Sequence, residues 1–72
     1  MNYKGIYKRD GGREEVVLIS SNRDEVVKAL VDRADGNYCL DTKEDRLNAL
    51  AMRNFCMLGC GPSELIIEEI EA

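Results

Sequence analysis

The chain predicts an α+β fold in the order β-β-α-α-β, a three-stranded, mainly antiparallel sheet with two helices packed on one face. Three observations predict it. Asp10-Gly11-Gly12 separates two runs of strand-like composition, two helix caps each precede an amphipathic run, and the last segment is built of acid and isoleucine. With 33% charged and 44% hydrophobic residues, the composition is that of a globular chain rather than a disordered one. At 72 residues a single domain over 1–72 is expected. Its core must be small, because chains of this size bury only about 60% of their extended surface.

Tyr3 to Arg9 and Glu14 to Ser20 read as strands, the second rich in β-branched residues. A turn on Gly11-Gly12 supplies the positive φ angles of a primed hairpin and sets Tyr7 opposite Val16, Ile6 opposite Val17 and Lys8 opposite Glu15. Centring the turn on Asp10-Gly11 instead sets Ile6 against Glu15, so the first register is preferred. Ser21 and Asn22, each followed at the third position by an acid, are both acceptable caps for a first helix. Val26, Val27, Leu30, Val31 and Ala34 form its apolar stripe, and Asp35-Gly36-Asn37 stops it.

Tyr38 to Asp41 is too short to assign. Thr42, with Asp45 three residues on, caps a second helix expected from Lys43 to Leu58. Its core side is Leu47, Leu50, Ala51, Phe55 and Leu58, and Gly59, Gly61 and Pro62 end it. The run Thr42 to Arg46 reads as a solvated first turn whose acids suit the helix dipole. Glu64 to Glu71 is the last strand. The second strand is the most apolar and is expected at the centre, although the basic first and acidic third strands are also compatible neighbours.

Chemistry is sparsely provided. There are three cysteines and no histidine, which removes the usual catalytic dyads, triads and His-containing zinc sites. Cys56 and Cys60 miss the redox Cys-x-x-Cys spacing, and Cys39 with Asp41 makes a poor supplement for a tetrahedral metal. All three are expected as small buried hydrophobes. No catalytic residue, metal ligand or cofactor is therefore assigned. The alternative is a small thiol-based redox or metal-binding protein using Cys39, Cys56 and Cys60.

Net charge of −4 and a pI near 4.7 disfavour direct nucleic-acid binding. A binder using Lys4, Lys8, Arg9 and Arg13, with Tyr3 and Tyr7 stacking on bases, runs against that charge. The longest apolar runs, Val16 to Ile19 and Leu65 to Ile67, fall far short of the roughly 20 residues of a membrane span. The opening residues lack a secretory h-region and the cysteine count is odd, so a cytoplasmic location is expected.

The sheet itself carries the sharper signal. In the preferred register, Tyr3, Gly5, Tyr7, Val16 and Leu18 pack on the helices with Leu65 and Ile67. The other face then carries Ile6, Val17, Ile19, Ile66 and Ile70, with Lys4, Lys8, Glu15, Glu64 and Glu68 around them. An apolar centre with a rim of both charges is the anatomy of a protein interface. Lys4, Ile6, Lys8, Val17, Glu64, Ile66, Glu68 and Ile70 are the expected partner-binding residues, for a different protein or for a homodimer through this face or an edge strand. The bland alternative is a curled sheet, or helices split across both faces, that leaves no patch.

The opening hairpin around Asp10-Gly11-Gly12, the helix start at Ser21-Asn22-Arg23-Asp24-Glu25, the short acidic domain and the lack of catalytic motifs give a resemblance. At the level of architecture, the chain resembles small phage-encoded inhibitor proteins, including some anti-CRISPR proteins. The resemblance implies a non-enzymatic module that blocks a host or defence protein by stoichiometric binding. A nucleic-acid-binding host complex, with the carboxylates mimicking phosphates, is one such target.

Overall fold

The computed structural model describes residues 1–9, 12–35, 41–58 and 63–71. Six elements follow in order: β1 (Asn2–Lys8), β2 (Glu14–Ser20), α1 (Arg23–Arg33), α2 (Lys43–Met52), β3 (Phe55–Met57) and β4 (Glu64–Ile70). The strands form one four-stranded antiparallel sheet in the order β2-β1-β4-β3. The α+β class holds, and two of its details change.

The first change is the extra strand. The second helix stops at Met52, and Arg53 is extended at φ −153° and ψ 173°. Phe55, Cys56 and Met57 then pair with Ile66, Leu65 and Glu64. Only Cys56 of the three is buried, an alternation that belongs to a strand with one wet face. On a continued helix, Ala51 would lie on the core side with Phe55; both are exposed here.

The second change is the centre of the sheet, which is β1 with β4. The basic and acidic strands are direct neighbours, with Lys4 opposite Glu68 and Lys8 opposite Glu64. β2 is the edge, despite its apolar composition, and Val16 and Ile19 on it are each 50% exposed. Gly5 decides which strand lies beneath α1. A Cβ there would come within 2.7 Å of Val26 Cγ1 and 3.1 Å of Leu30 Cγ, so the missing side chain lets the helix settle onto β1.

Each helix start has a local cause. The Asn22 side chain accepts from the Asp24 N–H at 3.0 Å, and so Asn22 rather than Ser21 caps α1. Thr42 and Asp45 form a reciprocal capping box for α2, with bonds of 3.0 and 3.1 Å. α1 lies against β1 and β2, while α2 packs on α1 and β3, so the helix pair carries the chain across one face of the sheet from edge to edge. Between helices and sheet lies the core of Tyr7, Val26, Val27, Leu30, Val31, Ala34, Leu50, Cys56, Leu58, Leu65 and Ile67.

Among the described residues, one charge lies in that interior. Arg46, at the end of the turn expected to be solvated, has no exposed surface. Its Nε and Nη2 donate to the two Asp41 carboxylate oxygens at 2.6 and 3.3 Å, and its Nη1 donates to the Ala34 carbonyl at 2.9 Å. That carbonyl belongs to the C-cap of α1, where a cation suits the helix dipole. The guanidinium therefore links α2 to the end of α1 through a paired and hydrogen-bonded charge, the form in which a charge is tolerated inside a protein.

Candidate interaction surface

The hairpin sets which side chains share a face, and its register changes midway. Tyr3, Lys4 and Gly5 pair with Ser20, Ile19 and Leu18 as expected. After a β-bulge between Gly5 and Ile6, Ile6, Tyr7 and Lys8 pair with Val16, Glu15 and Glu14. The turn agrees with the shifted register. The Arg9 N–H donates to the Arg13 carbonyl, the Gly12 N–H donates to the Arg9 carbonyl at 3.1 Å, and Gly12 takes φ +82°, which glycine adopts without strain. Asp10 and Gly11 lie outside the described residues.

Val17 is the unpaired residue of the bulge, and it packs on the core instead of the open face. Its expected partner-binding role is therefore corrected, as is the expected core position of Val16, which is half exposed opposite Ile6. The same slip brings Glu15 to the helix side. There it accepts from Arg33 at 2.7 and 3.0 Å and from Arg9 at 3.1 Å. Both guanidinium groups stand over the Tyr7 ring, at 5.3 and 5.4 Å from its centroid. The hydrogen bonds from Arg33 hold the Glu15 carboxyl below its usual pKa, partly opposed by desolvation and helped by the charges of Arg33 and Arg9.

The face away from the helices is uncovered by any described element. Strand register places Lys4, Ile6 and Lys8 of β1 and Glu64, Ile66, Glu68 and Ile70 of β4 together on it, which is the expected set without Val17. Ile19 also lies there, as expected. Val16, Phe55 and Met57 complete it and were missing from the expectation. Phe55 is 42% and Met57 60% exposed.

Four apolar residues line up in one row across all four strands: Val16, Ile6, Ile66 and Phe55. Ile6 is only 3% exposed although no helix covers its face. It stands outside the main core cluster. On one side of this row lie Lys4 and Glu68, on the other Lys8 and Glu64. The Arg53 guanidinium stands 4.7 Å from the Phe55 ring centroid and bounds the patch at the β3 edge. Arg23 of α1 fixes that corner by donating to the Arg53 carbonyl at 3.1 Å and to Asn54 Oδ1 at 2.9 Å.

The one described cysteine stands apart from this surface. Cys56 is buried on the helix side and unoxidised. Burial pushes its thiol pKa up, with the Asp41 charge adding to the effect and Arg46 and Arg53 opposing it. That direction disfavours the thiolate that nucleophilic and metal chemistry uses. Cys39 and Cys60 lie outside the described residues. Among the described residues no group of three His, Cys, Asp or Glu side chains is placed to hold a metal, and no helix is long and apolar enough to cross a membrane. A shallow groove of about 270 Å³ between the helices is lined by Lys28, Val31, Asp32, Lys43 and Leu47, with Lys43 and Asp32 ion-paired to each other. No family model, no curated protein and no solved structure matches the chain.

Proposed function

We propose that the protein is a non-enzymatic protein-binding module that acts by stoichiometric binding through the open face of its sheet. The observation that carries this reading is the row Val16, Ile6, Ile66 and Phe55, an apolar centre running the full width of the sheet between two rows in which a lysine lies opposite a glutamate. Apolar patches of this kind are uncommon on monomers without a partner, and a charged rim orients a partner more than it holds it. Val16, Phe55, Ile66 and Ile70 supply the apolar contacts, while Ile6, only 3% exposed, supports the row from beneath. Lys4, Lys8, Glu64 and Glu68 make no ion pair with one another, and their heads are available to set orientation and association rate.

A small inhibitor or adaptor is the form of module that this surface suits, since the recognition element is most of one side of the molecule. Taking up the sequence's resemblance to small phage-encoded inhibitor proteins, anti-CRISPR proteins among them, we propose a host or defence protein as the target class. The test is affinity capture from the source cell with three baits: the natural chain, Ile66→Asp, and Met52→Lys. Met52 is 87% exposed at the end of α2, away from the face. Capture retained by Met52→Lys and lost by a folded Ile66→Asp supports the reading. Equal capture by all three overturns it.

A further inference from the structure

We infer that a second copy of this chain covers the open face, in a two-fold dimer whose axis runs parallel to the strands between β1 and β4. The inference rests on the reading of that face as a binding surface and names its occupant in the absence of a target. Face-to-face sheets pack aligned, about 10 Å apart, and identical faces meet through a two-fold axis lying between them. Such an axis can run along the strands or across them, and the charges of this face choose between the two.

An axis along the strands exchanges β1 with β4 of the facing copy. Because Lys4 is opposite Glu68, Ile6 opposite Ile66 and Lys8 opposite Glu64, the exchange stacks each lysine over a glutamate of the other copy and Ile6 over Ile66. It also exchanges β2 with β3, which sets Val16 over Phe55, since both end the same row. An axis across the strands exchanges strand ends instead. It stacks Lys4 over Lys8 and Glu68 over Glu64, like on like, at a cost that excludes this arrangement. The face is thus self-complementary in one orientation only. Three strands of seven residues and one of three, about 4.8 Å apart at about 3.4 Å per residue, give a face roughly 19 Å wide and 24 Å long that narrows at β3. Over both copies that size falls below the roughly 1,200 Å² of a stable interface, in the range of weak, transient ones, so the dimer is expected to dissociate on dilution.

Sedimentation velocity over a concentration series tests this. The natural chain should pass from monomer to dimer as concentration rises, and a folded Ile66→Asp should stay monomeric. Reversing charge on one strand only, as Lys4→Glu with Lys8→Glu or as Glu64→Lys with Glu68→Lys, should weaken each variant's self-association at least tenfold. An equimolar mixture of the two should restore the dimer. Each reversal also sets like charges side by side within one chain, so Lys4→Glu with Glu68→Lys is the companion variant. It keeps opposite charges both within the chain and across this axis, and should dimerise as the natural chain does. Stronger dimerisation of that variant, no rescue in the mixture from folded variants, or a monomer at every concentration overturns the inference. A monomer whose capture of a different protein is still lost on Ile66→Asp would overturn the dimer alone, leaving the binding-module reading in place.

Discussion

Arg46 and Asp41 form a bidentate pair in which the guanidinium is fully buried while the carboxylate keeps 17% of its side-chain surface. The asymmetry predicts unequal mutants. Asp41→Ala leaves a buried cation without this partner and should cost about 3 kcal/mol or more in urea unfolding. Arg46→Met removes the charge along with the need to solvate it, and should cost less. Combining Arg46→Met with Asp41→Asn should be milder than Asp41→Ala alone. A larger loss for Arg46→Met than for Asp41→Ala would mean that the contacts Arg46 makes besides Asp41, the Ala34 carbonyl among them, dominate.

Gly5 makes a second prediction about stability. A Cβ at this position would sit 2.7 Å from Val26 Cγ1, in a core where Val26 is fully buried and has little room to move. Gly5→Ala should therefore destabilise the protein by about 1–3 kcal/mol, the usual cost of overpacking. Adding Val26→Ala should return part of that loss. Thermal or urea unfolding of the two variants reads this directly. Neutral behaviour of Gly5→Ala would mean that α1 stands further from β1 than the contacts imply.

Glu15 predicts a pH dependence. Its folded-state pKa is depressed below the ordinary value of 4.5, first by the hydrogen bonds from Arg33. A depressed carboxyl contributes stability that is fully present above the unfolded pKa and is lost as pH falls through the folded one. Glu15→Gln should thus lower the melting temperature at pH 7, and the gap from the natural chain should close as pH drops below 4.5. The group is exposed, so the gap should also shrink in high salt. A gap that widens on acidification would reverse the sign of the linkage.

Cys56 should be inert. In a background of Cys39→Ser and Cys60→Ser, the buried thiol, with its pKa raised by desolvation, should react slowly with iodoacetamide at pH 8 and rapidly once urea unfolds the chain. Fast labelling of the folded protein would return the thiol chemistry to consideration.

Much of this arrangement is legible from the residues. Periodic valines and leucines fix α1, and Thr42 and Asp45 fix the start of α2, whereas the apolar composition of β2 points to the wrong central strand and the charges of β1 and β4 offer the order found only as the alternative. The failures have local physical causes. The bulge at Val17 moves Glu15 and Val16 by one position, and nothing in the hairpin's own sequence announces it. What it gains is the long-range hydrogen bond that Arg33 donates to the Glu15 carboxylate. Phe55-Cys56-Met57 continues a helical pattern in sequence but takes strand geometry because β4 offers it a backbone partner. Arg46 shows the same limit. A charged residue in a helix's first turns reads as solvated until Asp41 and the α1 C-cap are seen around it.

Leu65 and Ile66 are adjacent in β4 and lie on opposite faces of the sheet, Leu65 fully buried under the helices and Ile66 only partly so on the open side. Urea unfolding of Leu65→Asp and Ile66→Asp, followed side by side by circular dichroism, therefore separates core from surface most directly. The expected result is that Leu65→Asp has no cooperative transition, while Ile66→Asp unfolds cooperatively at a midpoint close to that of the natural chain at a concentration where it is monomeric. If Ile66→Asp is as unfolded as Leu65→Asp, the open face is part of the core and is not a binding surface.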